Sequence, residues 1–362
     1  MPEIVPQLVS AVIPVFNRPE MLQRAVQSVL NQTYQPVEVL IADDGSTDET
    51  PQVARSLERD HPGVVFYHPS PHAAGCGPGP MRELGRQRAR GEFVQYLDSD
   101  DLLMPNKFTD QVNTLRHHPE CDIAYGITRL VDEAGSVLAD PFKWTGRDIT
   151  RLYPGLLVDR WWCTHTPLYR RTLTDRIGPW SDLRWSQDWE YDARAGALGV
   201  SVVSCHSHVS DHVHHSGVRQ TSNADWQRDP ARLRNRVQLL HALWHNAVVA
   251  QIANTAPERQ HFSRWCFAIA RQCAVAGLCQ ETYQLIDLAR QAAADSTALK
   301  GITLFENLAR CLGVTGTGHI FRILEQLRRQ PGSLTLPQSF TRSAETSNTT
   351  TTTHELSDSH SS

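Results

Sequence analysis

Apolar positions along the chain switch between two spacings. Residues 8–15, Leu-Val-Ser-Ala-Val-Ile-Pro-Val, form a β-rich run closed by Pro14 and by Asn17-Arg18-Pro19, a strand entering a turn. Leu22, Ala25, Val26, Val29 and Leu30 then recur at helical spacing, with Pro19 near the first turn, where its missing N–H costs nothing. A second strand over 37–42 runs into Asp43-Asp44-Gly45-Ser46-Thr47-Asp48. The pattern continues with a helix over about 49–59, a strand over about 64–68, a Gly/Pro loop at 72–80 and a helix around 81–89. Phe93, Val94, Tyr96 and Leu97 make a buried strand that ends in Asp98-Ser99-Asp100-Asp101. Beyond a helix at 107–118, strands are expected at 122–126 and 127–131, with a hairpin turn at 132–136. Residues 141–160 read as irregular, and 161–220 are rich in Trp and His. From 225 to 330 the character changes to amphipathic helices, expected at 233–252, 262–276, 280–294 and 320–329. Residues 333–362 are Ser/Thr-rich and expected to be disordered.

Strands alternating with helices at this spacing imply βαβ units and a largely parallel sheet. In such sheets ligands bind beyond the carboxyl ends of the strands. Three strand ends carry polar clusters: Pro14 with Asn17, Asp43 with Asp44, and Asp98 with Asp100 and Asp101. Carboxylates this close repel one another unless a positive charge sits among them. A divalent cation bound to phosphate satisfies that need with hard oxygen ligands, the remainder coming from water and substrate. A solvated acidic turn capping the next helix is the other reading of the same residues. The division expected is an α/β unit at 1–222, a helical region at 223–332 and the tail.

Composition narrows the picture. The 362 residues are 40% hydrophobic and 20% charged, as in globular chains. A net charge of -4 gives no reason to expect nucleic acid. No stretch is apolar for long enough to span a membrane, and residues 1–6 lack the basic segment of a secretory signal. The eight cysteines contain no C-x-x-C pair and are expected to be reduced, mainly buried thiols. These features point to a cytoplasmic protein.

Five motifs, in order, resemble the inverting family-2 glycosyltransferases of the GT-A fold. They are Ser10 to Asn17, Ser28 to Tyr34, Val39 to Asp48, Arg90 to Phe93, and Leu97 to Asp101. The agreement covers roughly residues 8–110 and, more loosely, extends to about 217. The resemblance implies a Rossmann-like mixed sheet flanked by helices that binds a nucleotide-diphospho-sugar. Pro14, Val15 and Asn17 would line the nucleotide pocket, and Asp44 would accept a hydrogen bond from the base. Asp98 and Ser99 would lie near the ribose and the metal. Asp100 would ligate Mn²⁺ or Mg²⁺ bridging the diphosphate, while Asp101 either joins it or bonds locally within the turn.

The acceptor side needs a general base. In the family this carboxylate follows an element matched here by Arg176-Ile177-Gly178-Pro179-Trp180, and the usual Glu-Asp pair stands as Gln187-Asp188. Asp188 is the expected base, with a helix-capping role as the rival and Glu190 as the competing carboxylate. Among His206, His208, His212, His214 and His215, the spacing defines no compact zinc site. His215, before Ser216-Gly217, fits the family's metal or phosphate contact best. Arg82 would contact a phosphate or hold Asp100; Glu83 departs from the family's Asn. Trp161, Trp162, Trp185 and Trp189 either line the acceptor side or plug the interface between sheet and helices. The expectation is a metal-assisted, inverting transferase using a UDP-, GDP- or dTDP-linked donor and a glycan or lipid-linked acceptor. It would be cytoplasmic, with peripheral association at the inner face of the membrane left open. The alternative is a degenerate relative that binds a nucleotide sugar or a partner without turnover. A glycoside hydrolase is disfavoured because its two carboxylates flank the scissile bond and need no diphosphate metal site. A nucleotidyltransferase is disfavoured because the first loop lacks glycine.

Overall fold

The computed structural model describes residues 2–71, 75–215, 229–293 and 296–328. The first half alternates as the spacing predicts: β1 (Val5–Val15), α1 (Pro19–Leu30), β2 (Val37–Asp43), α2 (Thr50–Asp60), β3 (Val65–Pro69), α3 (Pro78–Arg86) and β4 (Gly91–Tyr96). β2, β1 and β4 are buried along nearly all of their core-facing length because helices cover both faces. Register does the positioning. Val15 pairs with Asp43 and Val12 with Tyr96, so β4 ends three residues short of β1 and β2 and the acidic turn that follows it shares their edge.

Beyond β4 the sheet turns mixed. β5 (Leu102–Leu103), α4 (Lys107–His117), β6 (Ile123–Asp132), β7 (Val137–Ala139), β8 (Leu168–Arg170), α5 (Arg171–Ile177), α6 (Gln187–Ala197) and β9 (Val202–His214) follow. The strand order is β3-β2-β1-β4-β8-β6-β9-β5, with β7 against β6. β8 runs antiparallel to β4, and β9 lies parallel to β6 and antiparallel to β5. β9 therefore carries the His-rich stretch past the acidic turn, pairing Asp211 with Leu102 and Ser210 with Leu103.

Alternation along β1 separates two cores. Val9, Ala11 and Ile13 pack beneath α1, α2 and α4. Val12 faces the other way, into a core that continues through Tyr96, Tyr169, Trp180 and Tyr191 into the C-terminal helices. Those helices are α7 (Pro230–Val249), α8 (Pro257–Val275), α9 (Cys279–Ala292) and α10 (Ser296–Arg328).

Several elements depart from the expected pattern. β6 is one strand rather than two; Gly126 does not end it but lets β9 approach, since a Cβ there would sit 2.5 Å from Val209 Cγ1. α3 begins at Pro78 rather than near 81, its prolines tolerated in the first turn. β9 falls in a stretch for which no element was expected. α10 starts at 296, not 320. Its glycines and threonines hide the helical period, yet Ile302 and Phe305 are buried, and Gly318 comes close enough that a Cβ would lie 2.8 Å from Ala274 Cβ. Gly313, at φ 73°, kinks it. No described helix is long and apolar enough to cross a membrane. All eight cysteines are free; Cys121, Cys163, Cys266 and Cys273 are buried, whereas Cys279 and Cys311 are exposed. The expected tail at 333–362 and the Ser216-Gly217 turn lie outside the described residues.

Candidate active site

The floor of the site is the common edge of β1, β2 and β4. Pro14 and Val15 are buried, and the Val15 side chain belongs to the core. The Val15 carbonyl accepts from the Asp44 N–H at 2.9 Å. Asn17 is exposed and left-handed at φ 51°, a conformation Asn tolerates better than most residues. Its N–H donates to Ser46 Oγ at 2.9 Å, and its Oδ1 accepts from the Thr47 N–H at 2.8 Å. Asp43 is consumed internally, accepting from the Ser46 N–H and hydroxyl on Oδ1 and from the Tyr67 hydroxyl on Oδ2. Asp44 holds the loop before α3: Oδ1 accepts from the Cys76 N–H at 2.9 Å and Oδ2 from the Gly77 N–H at 2.8 Å. Burial pushes the Asp44 carboxyl up, and those backbone donors pull against it.

In the acidic turn after β4, each carboxylate has its own basic partner, which offsets the repulsion expected from their spacing. Arg82 Nη2 donates to Asp98 Oδ1. Arg18 Nη1 donates to Asp100 Oδ2 at 2.5 Å, and His215 Nε2 lies 2.9 Å from the same oxygen. Arg82 thus holds Asp98 rather than Asp100; Arg18, unforeseen from sequence, takes the second role. Asp101 turns inward, with His165 Nδ1 2.7 Å from Oδ2, His212 Nδ1 3.0 Å from Oδ1 and the Val213 N–H donating to Oδ1 at 3.0 Å. Burial pushes its carboxyl up, but His165 and His212 outweigh this and hold it far below the usual range. Ser99 is buried in the turn.

Two groups at this edge have donors to spare. Arg82 Nε and Nη1, and His215 Nδ1, are buried without a hydrogen-bond partner among the described residues. Unpaired buried donors are costly, and an anion would satisfy them. Asp100 and His215 form a carboxylate–imidazole pair. That donor set suits a divalent cation whose remaining positions go to phosphate oxygens and water.

Across from this edge stands the N-terminus of α6. Gly79 permits the approach: a Cβ there would lie 2.4 Å from the Ser181 carbonyl oxygen and 3.3 Å from Gln187 Cγ. Ser186 enters the helix left-handed at φ 59°, an uncommon conformation for a residue with a side chain. Asp188 Oδ2 accepts from Arg160 Nη1 at 2.6 Å and from the Thr164 hydroxyl at 3.1 Å, while Oδ1 accepts from the Trp189 N–H. Arg160 is itself anchored, its Nε donating to Asp192 Oδ2 at 2.7 Å. Burial pushes the Asp188 carboxyl up; Arg160, then Arg82, overcome this and hold it below the ordinary range. Glu190 faces away, paired with Arg194 at 2.7 Å, and Glu83 bonds to Arg86 and the Trp180 N–H.

The tryptophans divide between roles. Trp162 is fully buried and donates to Asp192. Trp189 stacks on Trp265 of α8 at 5.3 Å, and Trp185 accepts from and donates to Asn235 of α7 through its backbone, so both tie α/β unit to helices. His206 and His208 sit at the surface opposite Asp148 and Asp140. Arg160, Thr164 and His165 went unassigned from sequence. The run Asp159-Arg160-Trp161-Trp162-Cys163-Thr164-His165 signals only that polar groups lie amid aromatic ones.

Residues 10–170 match the model of the family described as Glycosyl transferase family 2. An uncharacterized glycosyltransferase of Haemophilus influenzae is 34% identical over 113 residues, covering 31% of this chain and 44% of that protein. An Escherichia coli chondroitin synthase is 32% identical over 137 residues, covering 38% of this chain and 19% of that protein. The chain thus spans less than half the length of these relatives. A crystal structure of S. aureus TarS 1-349 in complex with UDP-GlcNAc superposes with a TM-score of 0.62 at 18% identity, covering 88% of this chain and 91% of that one. That likeness is one of fold. Residues 10–170 are thus similar to glycosyl transferase family 2, and the described chain has the GT-A fold, which the C-terminal helices extend.

Proposed function

We propose that the chain is an inverting glycosyltransferase that moves a sugar from a nucleotide-diphospho-sugar to a hydroxyl of a glycan or lipid-linked acceptor. The observation that carries this is Arg82. Its buried, unpaired Nε and Nη1 lie between a carboxylate-rich turn and a single ionised carboxylate on the opposite wall. A donor diphosphate would satisfy the guanidinium edge. Asn17 and Asp44 would meet the nucleotide, with Pro14 and Val15 forming the wall beneath. Asp98 and Ser99 would stand at the ribose. Asp100 with His215 would hold Mn²⁺ or Mg²⁺, which when bound neutralises charge on the departing diphosphate.

Asp188 is the base of this scheme. Its Oδ2 is occupied by Arg160 and Thr164, whereas Oδ1 accepts, among the described residues, the neighbouring Trp189 N–H and keeps a lone pair for the acceptor's proton. Because Arg160 keeps the carboxyl ionised at neutral pH, Asp188 stands ready to accept that proton as the hydroxyl oxygen attacks the anomeric carbon. Among the described residues Asp188 is the ionised carboxylate facing this side, an arrangement that suits a single displacement with inversion. Names of similar proteins, among them a chondroitin synthase and a UDP-GlcNAc complex, support a UDP-linked donor.

The test is nucleotide release from UDP-, GDP- and dTDP-sugars with Mn²⁺, comparing wild type with Asp100→Asn and Asp188→Asn. Turnover of one donor that both substitutions abolish is the expected result. Metal-dependent donor binding without release, even with acceptors supplied, would favour the non-catalytic alternative. No donor binding at all would sink the nucleotide-sugar reading.

A further inference from the structure

We propose that Cys163, His165 and His212, with Asp101 as fourth ligand, form a binding site for a soft divalent cation such as Zn²⁺, separate from the Asp100–His215 pair. The ligand atoms of Cys163, His165 and His212 all lie within 4.8 Å of one another. Asp101 lies beside both imidazoles, 2.7 Å from His165 Nδ1 and 3.0 Å from His212 Nδ1, and forms a second close cluster with Asp98 and the same His165. Three stretches of chain contribute: the turn after β4, the segment before β8, and β9. His165 supplies the independent sign. It is 0% exposed, and neither of its ring nitrogens makes a hydrogen bond among the described residues, Nδ1 included although it faces Asp101, an expensive state for a ring buried this deeply.

Donor chemistry selects the ion. A thiolate with two imidazoles suits Zn²⁺ and disfavours Mg²⁺ and Mn²⁺, which prefer oxygen. Charge balance agrees: a dication with one thiolate and one carboxylate is neutral, so burying the site costs little. Tetrahedral zinc would bring neighbouring ligand atoms to about 3.5 Å, a contraction within reach of side-chain rotation. The Cys163 side chain is buried, and as a thiol it must give up its proton to bind a cation. Cation binding breaks the S–H bond, releases that proton to solvent and forms the metal–sulfur bond, and affinity therefore rises with pH. An occupied site would clamp the acidic turn to β9 immediately behind Asp100.

Co²⁺ reports such a site by absorbance in the full-length protein and needs no donor, acceptor or turnover. Wild type is expected to bind Co²⁺ with tetrahedral ligand-field bands and a thiolate charge-transfer band, all displaced by Zn²⁺ and untouched by excess Mg²⁺. Cys163→Ser should abolish the charge-transfer band, and His212→Asn should weaken binding at least tenfold. If Cys163→Ser does not fold, His212→Asn decides, because that ring is partly exposed. No charge-transfer band in wild type overturns the proposal and leaves a cation-free His–Asp–His cluster. A band that survives both substitutions also overturns it, assigning the signal to other thiols such as exposed Cys279 or Cys311.

Discussion

Replacing Arg160 with methionine keeps much of the side chain's volume and deletes a charge shared by two carboxylates. The guanidinium lies 2.6 Å from Asp188 Oδ2 and 2.7 Å from Asp192 Oδ2, with only 7% of its side chain exposed. Breaking a buried pair costs about 3–5 kcal/mol. The loss divides between two partners, and Asp188, 26% exposed, is partly screened by solvent. An Asp188 share of about 1.5–3 kcal/mol corresponds to an upward shift of about 1–2 pKa units. The wild-type carboxyl is held low, so activity is lost as pH falls through its folded value; without Arg160 that loss begins at higher pH. The acidic limb of kcat/KM for sugar transfer should therefore move up by about 1–2 units. Stability should show the opposite sign for the fully buried Asp192. Burial already raises its carboxyl, so once Arg160 is gone, ionisation penalises the folded state as pH rises. The deficit of Arg160→Met against wild type in urea unfolding should shrink between pH 7 and pH 5, and Asp192→Asn in the same chain should recover part of it. A folded Arg160→Met protein whose acidic limb does not move would refute the reasoning about Asp188. A pH-independent deficit would refute the reasoning about Asp192.

Lys107 is fully buried, its Nζ donating to Gln111 Oε1 and the Thr166 carbonyl, and burial lowers its pKa from 10.5 to about 7. Between those values the unfolded chain carries a proton that the folded one does not, so stability should climb with pH from 7 toward 10, by up to roughly 5 kcal/mol. Lys107→Met should flatten that slope, as denaturant titrations at several pH values would report. At Gly85, an added Cβ would meet Val12 Cγ1 at 2.3 Å, between α3 and the central strand. Gly85→Ala should cost about 1–3 kcal/mol and, by displacing Arg82 one turn away, weaken donor binding in calorimetry; unchanged affinity in the destabilised protein would separate α3 from the donor site.

Much of the α/β half was legible because its signals are local. Apolar runs of strand length, Leu22 to Leu30 at helical spacing, and carboxylates just past apolar runs all lie within a few residues of what they imply. Parallel pairing then brought Val15, Asp43 and the turn after Tyr96 to one edge, as βαβ units require. Less visible were elements whose pattern is not periodic. β9 looked like scattered histidines because it faces a strand on each side and the acidic turn at its end. Most of α10 was hidden by glycines that serve close packing on α8.

Sequence alone thus determined which chemical groups the chain owns and which strand ends present them: the acidic turn, Asp44, and Asp188 at the head of a helix. Only the tertiary structure decided how they are charged and held. Arg18 meets Asp100 where β1 lies beside β4, and Arg160 meets Asp188 and His165 meets Asp101 through the segment that leads into antiparallel β8. The physical reason is that helical and strand periods are written by neighbours in the chain. The field on a carboxylate depends on burial and on cations within a few ångströms, and neither quantity has a signature in local spacing.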